Sequence, residues 1–376
     1  MAPMGNISMC DETGKPNSKM LKYFEERARG GVGLITTGLV PVSFGIDKSL
    51  IEKGELSYFP RIDRSRTVFA PWRDLAAMCH SYGANIFIQL TPGLGRVGNP
   101  QCITTQYKFP RSSSFNPSWY MSSLPCLPLS DLSLTRIIKR VGQGAADAKA
   151  CNIDGVYLHG HEGYLLDQFA IEFFNKRTDE YGGSFENRFR FATEVVKAIK
   201  GACGENFPVS LRYSVESKMK GFCEGAMPDE VEGKDYKEAG RNMAESEKAA
   251  KYLQDVGYDM LNADNGTYDS WYWAHPPVYM PENCNLDDVA HIKKFVDIPV
   301  VCAGKMDPEI GAKAVEEGLI DAVGVARQFL VDPEWITKLI DDRLEDIKPC
   351  IHCHSGCFNF SSHKGHPNTQ DLTDTM

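Results

Sequence analysis

Residues 159–164 read His-Gly-His-Glu-Gly-Tyr, which places two imidazoles, a carboxylate and a phenol within six positions. Imidazole and phenol hold or pass protons, and both donate hydrogen bonds to an oxygen on which charge develops. An unperturbed phenol of pKa ~10 keeps its proton at pH 7. The group follows a short apolar run, Gly155-Val-Tyr-Leu158, that reads as a buried strand. It therefore lies at a strand's C-terminal end, where an α/β barrel carries its reacting groups. No packing need explains four such side chains there. The stretch continues through Leu165-Leu-Asp-Gln-Phe169 to Arg177-Thr-Asp-Glu-Tyr-Gly-Gly-Ser-Phe-Glu-Asn-Arg188. A second chemistry-bearing group is Cys350, Cys353 and Cys357, three close thiols spaced Cys-x2-Cys-x3-Cys.

The elements that must position these groups alternate regularly. Strands are predicted at 34–38, 85–90, 155–160, 208–214, 258–264, 299–304 and 322–327, each a short apolar, β-branched run. Amphipathic helices are predicted at 17–29, 71–82, 131–150, 185–200, 239–256, 287–296 and 307–318, with Leu132, Ile137, Ile138 and Val141 at helical spacing in one of them. Strand–helix alternation implies a parallel sheet. With the stub Met1–Met4 as an eighth strand, the fold class is an α/β (β/α)8 TIM barrel, expected over 1–345, with a cysteine-containing C-terminal extension over 346–376. A doubly wound sheet is the rival, but no Gly-x-Gly-x-x-Gly turn follows a strand. Residues 94–129 read as an excursion over the barrel mouth and 218–237 as a surface loop. The polar tail from 361 is expected to be disordered.

Composition narrows the function classes. The formal charge is −9 over 376 residues, with no Lys/Arg run, which argues against a nucleic-acid partner. No stretch approaches ~18 consecutive apolar residues, so no membrane span is expected. The N-terminus lacks a signal-peptide pattern, and nine of the twelve cysteines are scattered singly. Both features fit reduced thiols in a cytoplasmic protein.

A set of motifs in fixed order carries a resemblance. Ala2-Pro-Met4, Gln89-Leu90 with Gly93-Leu-Gly-Arg96, the 159–188 stretch, Arg212, Cys302-Ala-Gly-Lys305 and Gly324-Val-Ala-Arg327 sit at successive strand ends. Together they resemble the old yellow enzyme (NADH:flavin oxidoreductase) family, on the branch of 2,4-dienoyl-CoA reductase and the bile-acid-inducible steroid oxidoreductases. The resemblance covers residue 1 to about Cys357.

It implies FMN as cofactor and NADH or NADPH as electron donor. Pro3, Met4 and Gly38 match positions that touch the isoalloxazine through their backbone. Gln89 matches a hydrogen-bond partner of the pyrimidine, and Arg212 a positive charge beside its N1/C2 edge, which stabilises the reduced anion. Gly304, Lys305, Ala326 and Arg327 fall where a barrel binds phosphate; Arg327 as a surface ion pair is the bland alternative. His159 matches a donor to the substrate carbonyl and Tyr164 the proton donor. Two plainer roles compete with these, a satisfied core histidine and a capped core tyrosine. Glu162 departs from the classical Asn or His and selects the dienoyl-CoA branch; being an acceptor when ionised, it is expected to orient His159 or His161. Tyr268 falls near the His that dienoyl-CoA reductases place after the sixth strand, with His275 seven residues on, in an aromatic run that looks more like the steroid-acting relatives and is read as the wall of a flat apolar pocket or as a packed loop.

The implied activity is an FMN-dependent ene-reductase acting on the C=C of an enone or enoate, such as an enoyl-CoA, a steroid enone or an aromatic enoate. Alternatives are a 3-oxo-steroid acyl-CoA desaturase running in reverse, and a flavin-binding or inert remnant. Cys350, Cys353 and Cys357 resemble ligands of a [4Fe–4S] cluster, whose fourth Cys has no counterpart here; zinc, helped by His352, His354, His363 or His366, is the alternative metal. Relatives extend beyond both ends, so a catalytic-barrel fragment or truncated product is expected. FAD would require a further C-terminal domain, and a separate electron-transfer flavoprotein or reductase is a candidate partner. Self-association is compatible with everything above.

Overall fold

The computed structural model describes residues 1–5, 9–50, 59–62, 66–100 and 102–359. The tail from 361, with His363 and His366, lies outside the described residues. Seven parallel strands form one sheet in chain order: β1 (Leu34–Pro41), β2 (Asn85–Thr91), β3 (Gly155–Gly160), β4 (Val209–Ser214), β5 (Met260–Asp264), β6 (Val300–Ala303) and β7 (Ala322–Gly324). Chain order without crossovers is barrel topology, so the doubly wound alternative is excluded. The N-terminal stub takes the eighth place. Met1 O accepts from Thr36 N of β1 (3.1 Å), and Ala2 N donates to Val325 O just past β7 (2.7 Å). The stub is thereby bonded on both sides.

The helices that alternate with the strands are α1 (Ser18–Arg29), α2 (Phe69–Ser81), α3 (Asp131–Ala150), α4 (Phe185–Cys203), α5 (Met243–Val256), α6 (Leu286–Lys293) and α7 (Pro308–Glu316). Side chains set their starts: Asn17, Ser130, Ser184, Asn242 and Asp307 each accept a hydrogen bond from the first turn. The Asn242 cap is why α5 begins later than the periodicity predicted. α3 buries Leu134, Ile137, Val141, Ala145 and Ala148, whereas Leu132, expected on that face, is exposed. α3 and α4 pack closely at Gly142, where a Cβ would stand 2.9 Å from Ala198 O.

Two insertions cover the mouth. Residues 94–129 contain a small sheet of Arg111–Ser112, Pro125–Pro128 and Asn116–Pro117. The segment expected to be a surface loop instead forms a hairpin, Met219–Gly221 with Glu224–Gly225. Its root is buried: Met219 is fully covered, and Lys218 is sealed beneath ion pairs to Glu216 (2.6 Å) and Asp288 (2.9 Å). No helix among the described residues is long and apolar enough to cross a membrane.

Candidate active site

The C-terminal ends of β3, β4 and β5 bring the 159–164 group together with residues distant in sequence. Strand register sets His159 beside Arg212, and Arg212 beside Asn262. Past β3 the chain turns through two left-handed residues, Glu162 (φ +59°) and Gly163 (φ +73°). Such a conformation is costly for a glutamate and persists only where its surroundings hold it. Here a bridge from Glu162 to Thr267 does so, with Tyr268 N donating to Glu162 O at 3.0 Å. This pairing joins the loops after β3 and β5. The turn delivers Tyr164 to the N-cap of the helix Leu165–Ala170.

Three neutral groups face one another. The His159 and Tyr164 rings lie 4.0 Å apart, and the Tyr164 and Tyr268 hydroxyls are 3.0 Å apart. Burial pushes the His159 imidazolium down to about 3, so the ring is neutral near pH 7. Its Nδ1 is buried without a partner among the described residues. Burial, reinforced by the nearby Glu162 charge, raises the Tyr164 phenol, and burial also raises Tyr268. Both therefore stay protonated.

Behind them lies a charged layer. Arg212 bridges two carboxylates, pairing Nη1 with Glu162 and Nη2 with Asp264 Oδ2 at 3.0 Å. His161 Nε2 meets Asp264 Oδ1 at 2.8 Å, and His275 Nε2 lies 3.4 Å from Glu162 Oε1. Burial alone would raise the Glu162 carboxyl, but Arg212 first and then His275 hold it well below the usual range. Asp264 follows the same logic under Arg212 and His161. Burial disfavours a charged His161, yet Asp264 more than offsets it and raises that group.

These contacts revise several expected roles. Glu162 engages Arg212 and His275 rather than His159, with His161 Nδ1 farther off at 3.8 Å. His161, expected at the substrate, is fully buried against Asp264. The aromatic run is packed: Tyr268 meets Trp119 edge-on at 5.0 Å, and Trp271 stands 5.1 Å from Phe358. Asp264, the partner shared by Arg212 and His161, was not singled out from the sequence. Its place at the C-terminal end of a predicted strand was the available signal.

The second half of the site lies past β6 and β7. Gly304 has φ +109°, and a Cβ there would meet Asn285 Nδ2 at 2.2 Å. Lys305 turns its ammonium away, onto Val278 O (3.2 Å) and Met280 O (2.7 Å). Arg327 Nη1 lies 2.8 Å from both Pro276 O and His354 Nε2. Among the described residues it forms no ion pair with a carboxylate, which removes the surface-ion-pair reading. Ala326, beside it, is half-buried. Gln89 is buried on β2, its backbone N–H fixed by Thr37 Oγ1 at 3.0 Å, and the Gly38 carbonyl accepts from that same hydroxyl. Pro3 and Met4 are half-buried. The cysteines do not form the expected metal set: no group of three or more His, Cys, Asp or Glu among the described residues is arranged to hold a metal ion. Cys353 is exposed, whereas Cys350 and Cys357 are half-buried.

Comparison with known proteins agrees with this architecture. The NADH:flavin oxidoreductase / NADH oxidase family matches residues 1–346. Cinnamate reductase of Clostridium sporogenes is 42% identical over 359 residues, covering 95% of this chain and 52% of that protein. NADH oxidase of Thermoanaerobacter brockii is 34% identical over 358 residues, covering 95% and 50%. The solved complex of 2-naphthoyl-CoA reductase with 2-naphthoyl-CoA superposes with a TM-score of 0.80 at 24% identity, over 96% of this chain and 52% of that one. An old yellow enzyme homologue from Zymomonas mobilis gives 0.68 at 22% identity, over 91% and 88%. The chain spans about half the length of the curated relatives it matches.

Proposed function

Because the chain belongs to the NADH:flavin oxidoreductase / NADH oxidase family, we propose that it is the catalytic barrel of an FMN-dependent ene-reductase. Its substrate would be an α,β-unsaturated carboxylate or thioester carrying an aromatic group, with NADH or NADPH as ultimate electron donor. The substrate class rests on the cinnamate reductase relative. The residues fit the cofactor. Arg327 is a half-buried cation with no carboxylate partner among the described residues, as a phosphate site needs. Gln89 on β2 and Arg212 on β4 flank β3, and the resemblance assigns the ring contacts to Pro3, Met4 and Gly38, while Gly304, Lys305 and Ala326 offer backbone. The chemistry supplied by bound FMN is hydride transfer to the β-carbon of the activated alkene, which leaves charge on the carbonyl oxygen and the α-carbon.

The observation that carries the reading is the neutral trio His159, Tyr164 and Tyr268. His159, held neutral, presents an N–H to the carbonyl oxygen and stabilises the developing negative charge. Tyr164 keeps its proton until the α-carbon becomes basic enough to take it, and the Tyr268 hydroxyl 3.0 Å away can return one. Hydride and proton together saturate the alkene. Glu162 and Asp264 hold Arg212 in place and neutralise the charged layer. Cys350, Cys353 and Cys357, as placed, do not fit a cluster, and we propose no step through one.

The test is cinnamate reduction by the purified protein loaded with FMN and reduced anaerobically. Tyr164→Phe is expected to lower turnover by about 10²–10⁴-fold, the usual worth of a positioned acid, with an unchanged flavin spectrum. Full turnover by that variant removes Tyr164 from the role. Oxidation of the saturated acid in preference to reduction of cinnamate would favour the desaturase direction.

A further inference from the structure

The segment after the last barrel helix docks back onto the mouth. The Gln328 carboxamide grips the backbone twice, donating to Lys348 O and accepting from Cys350 N, both at 2.8 Å. Phe358 packs against Trp271 (5.1 Å), His275 (4.8 Å) and His354 (4.9 Å). Between these anchors the turn presses His354 onto Arg327. His352 (φ +53°) and His354 (φ +59°) both adopt the left-handed conformation, which non-glycine residues keep only when neighbours fix them.

The contact with Arg327 is one-sided. A guanidinium carries five N–H donors in a planar fork and no acceptor, so His354 Nε2 is the acceptor. Both His354 and the Pro276 carbonyl address Nη1. Nε and Nη2 have no hydrogen-bond partner among the described residues. The plane of the guanidinium is thus pinned on one edge and open on the other, the arrangement that a bidentate anion needs.

We propose that His354 is a positioning residue for phosphate: the C-terminal turn fixes the free edge of Arg327 toward the FMN phosphate, so that flavin binding and docking of residues 350–358 strengthen each other. This rests on the flavin reading above. Linkage makes the effect reciprocal, since a turn that improves phosphate binding is itself held more firmly once phosphate is bound.

The experiment titrates the full chain with FMN and with riboflavin, which lacks the phosphate, by quenching of flavin fluorescence. His354→Ala is expected to raise the Kd for FMN about tenfold, in the range of typical couplings, and to leave riboflavin unchanged. His354→Gln, whose amide oxygen also accepts, restores part of the loss. Phe358→Ala, which removes the ring packed on His354 but keeps the Nε2 acceptor itself, shifts FMN in the same direction. Saturating FMN slows alkylation of Cys357 by iodoacetamide, read by mass spectrometry. Equal losses for both flavins would overturn the proposal, because the defect would then be general. Tighter FMN binding by His354→Ala would overturn it too, by showing that the turn competes with phosphate. A wild-type chain that binds neither flavin refutes the cofactor reading and this inference with it. One that binds FMN without responding to His354 refutes only the inference.

Discussion

His161 and Asp264 titrate in opposite senses, so their pair gives the site a pH signature. The imidazole is raised above its ordinary 6.5 by Asp264 against the opposing effect of burial. The folded state thus binds a proton more tightly than the unfolded chain. Its contribution to stability is complete below 6.5 and disappears as pH climbs through the raised folded value. Asp264, lowered from 3.8, contributes above that value and loses its contribution as the solution becomes strongly acidic. His161→Gln should therefore cost most stability near pH 6 and progressively less toward pH 9, as read from urea midpoints. A constant penalty across that range would show that the imidazole is not charged in the folded state. That His159 and Tyr164 lie together at the barrel mouth was legible from the sequence, because both follow the end of a predicted strand at close spacing. Asp264 was not, since an acid at a strand end declares its role only once Arg212 and His161 are seen to converge on it. Arg212 itself was legible as a strand-end cation, but its second partner, Glu162, had been given a different neighbour.

At the scale of elements, one buried ion pair ties the insertions to the barrel. Arg96 and Asp269 have fully buried side chains 2.8 Å apart, in the loops after β2 and β5. Arg96 Nε also donates to Pro117 O (2.9 Å), and Asp269 accepts from Cys223 N of the hairpin (2.7 Å). Trp119, whose N–H donates to Arg96 O (3.0 Å), gives its indole N–H to Tyr268 O (2.9 Å). Both insertions therefore converge on the loop that holds Tyr268 against Tyr164. Removing one charge strands the other in a dry environment, at a cost of about 3–5 kcal/mol, whereas removing both avoids that penalty. Arg96→Met alone should lower stability by that order, and Arg96→Met with Asp269→Leu should recover most of it in a double-mutant cycle. Additive losses would mean that the pair acts only through its separate hydrogen bonds. Most of the seven strands were legible because buried parallel strands are almost uniformly apolar. The hairpin was hidden by its own composition: a polar run looks solvated until Glu216, Asp288 and the body of the barrel bury Lys218 and Met219.

For the molecule as a whole, closure of the barrel falls to its thinnest part. Among the described residues, backbone hydrogen bonds of the stub join β1 to the chain just past β7, where Ala2 N donates to Val325 O (2.7 Å), and Met1 and Met4 pack against the core. The same stub carries Pro3 and Met4, and the chain past β7 carries Arg327, so closure and the proposed cofactor site share a scaffold. Proline at position 2 has no N–H to donate. Ala2→Pro should therefore reduce stability by about 1 kcal/mol, the net worth of one such bond, while Ala2→Val, which keeps the donor, should stay within ~0.5 kcal/mol, as surface changes usually do. Urea unfolding of the three proteins measures both. If closure also positions the site, Ala2→Pro should weaken FMN and riboflavin alike, because Pro3 and Met4 would face the ring rather than the phosphate. That pattern differs from the one expected of His354→Ala, which spares riboflavin. Equal stability of the proline and valine variants would show that the sheet is held by its helices alone and that the stub merely rests against it.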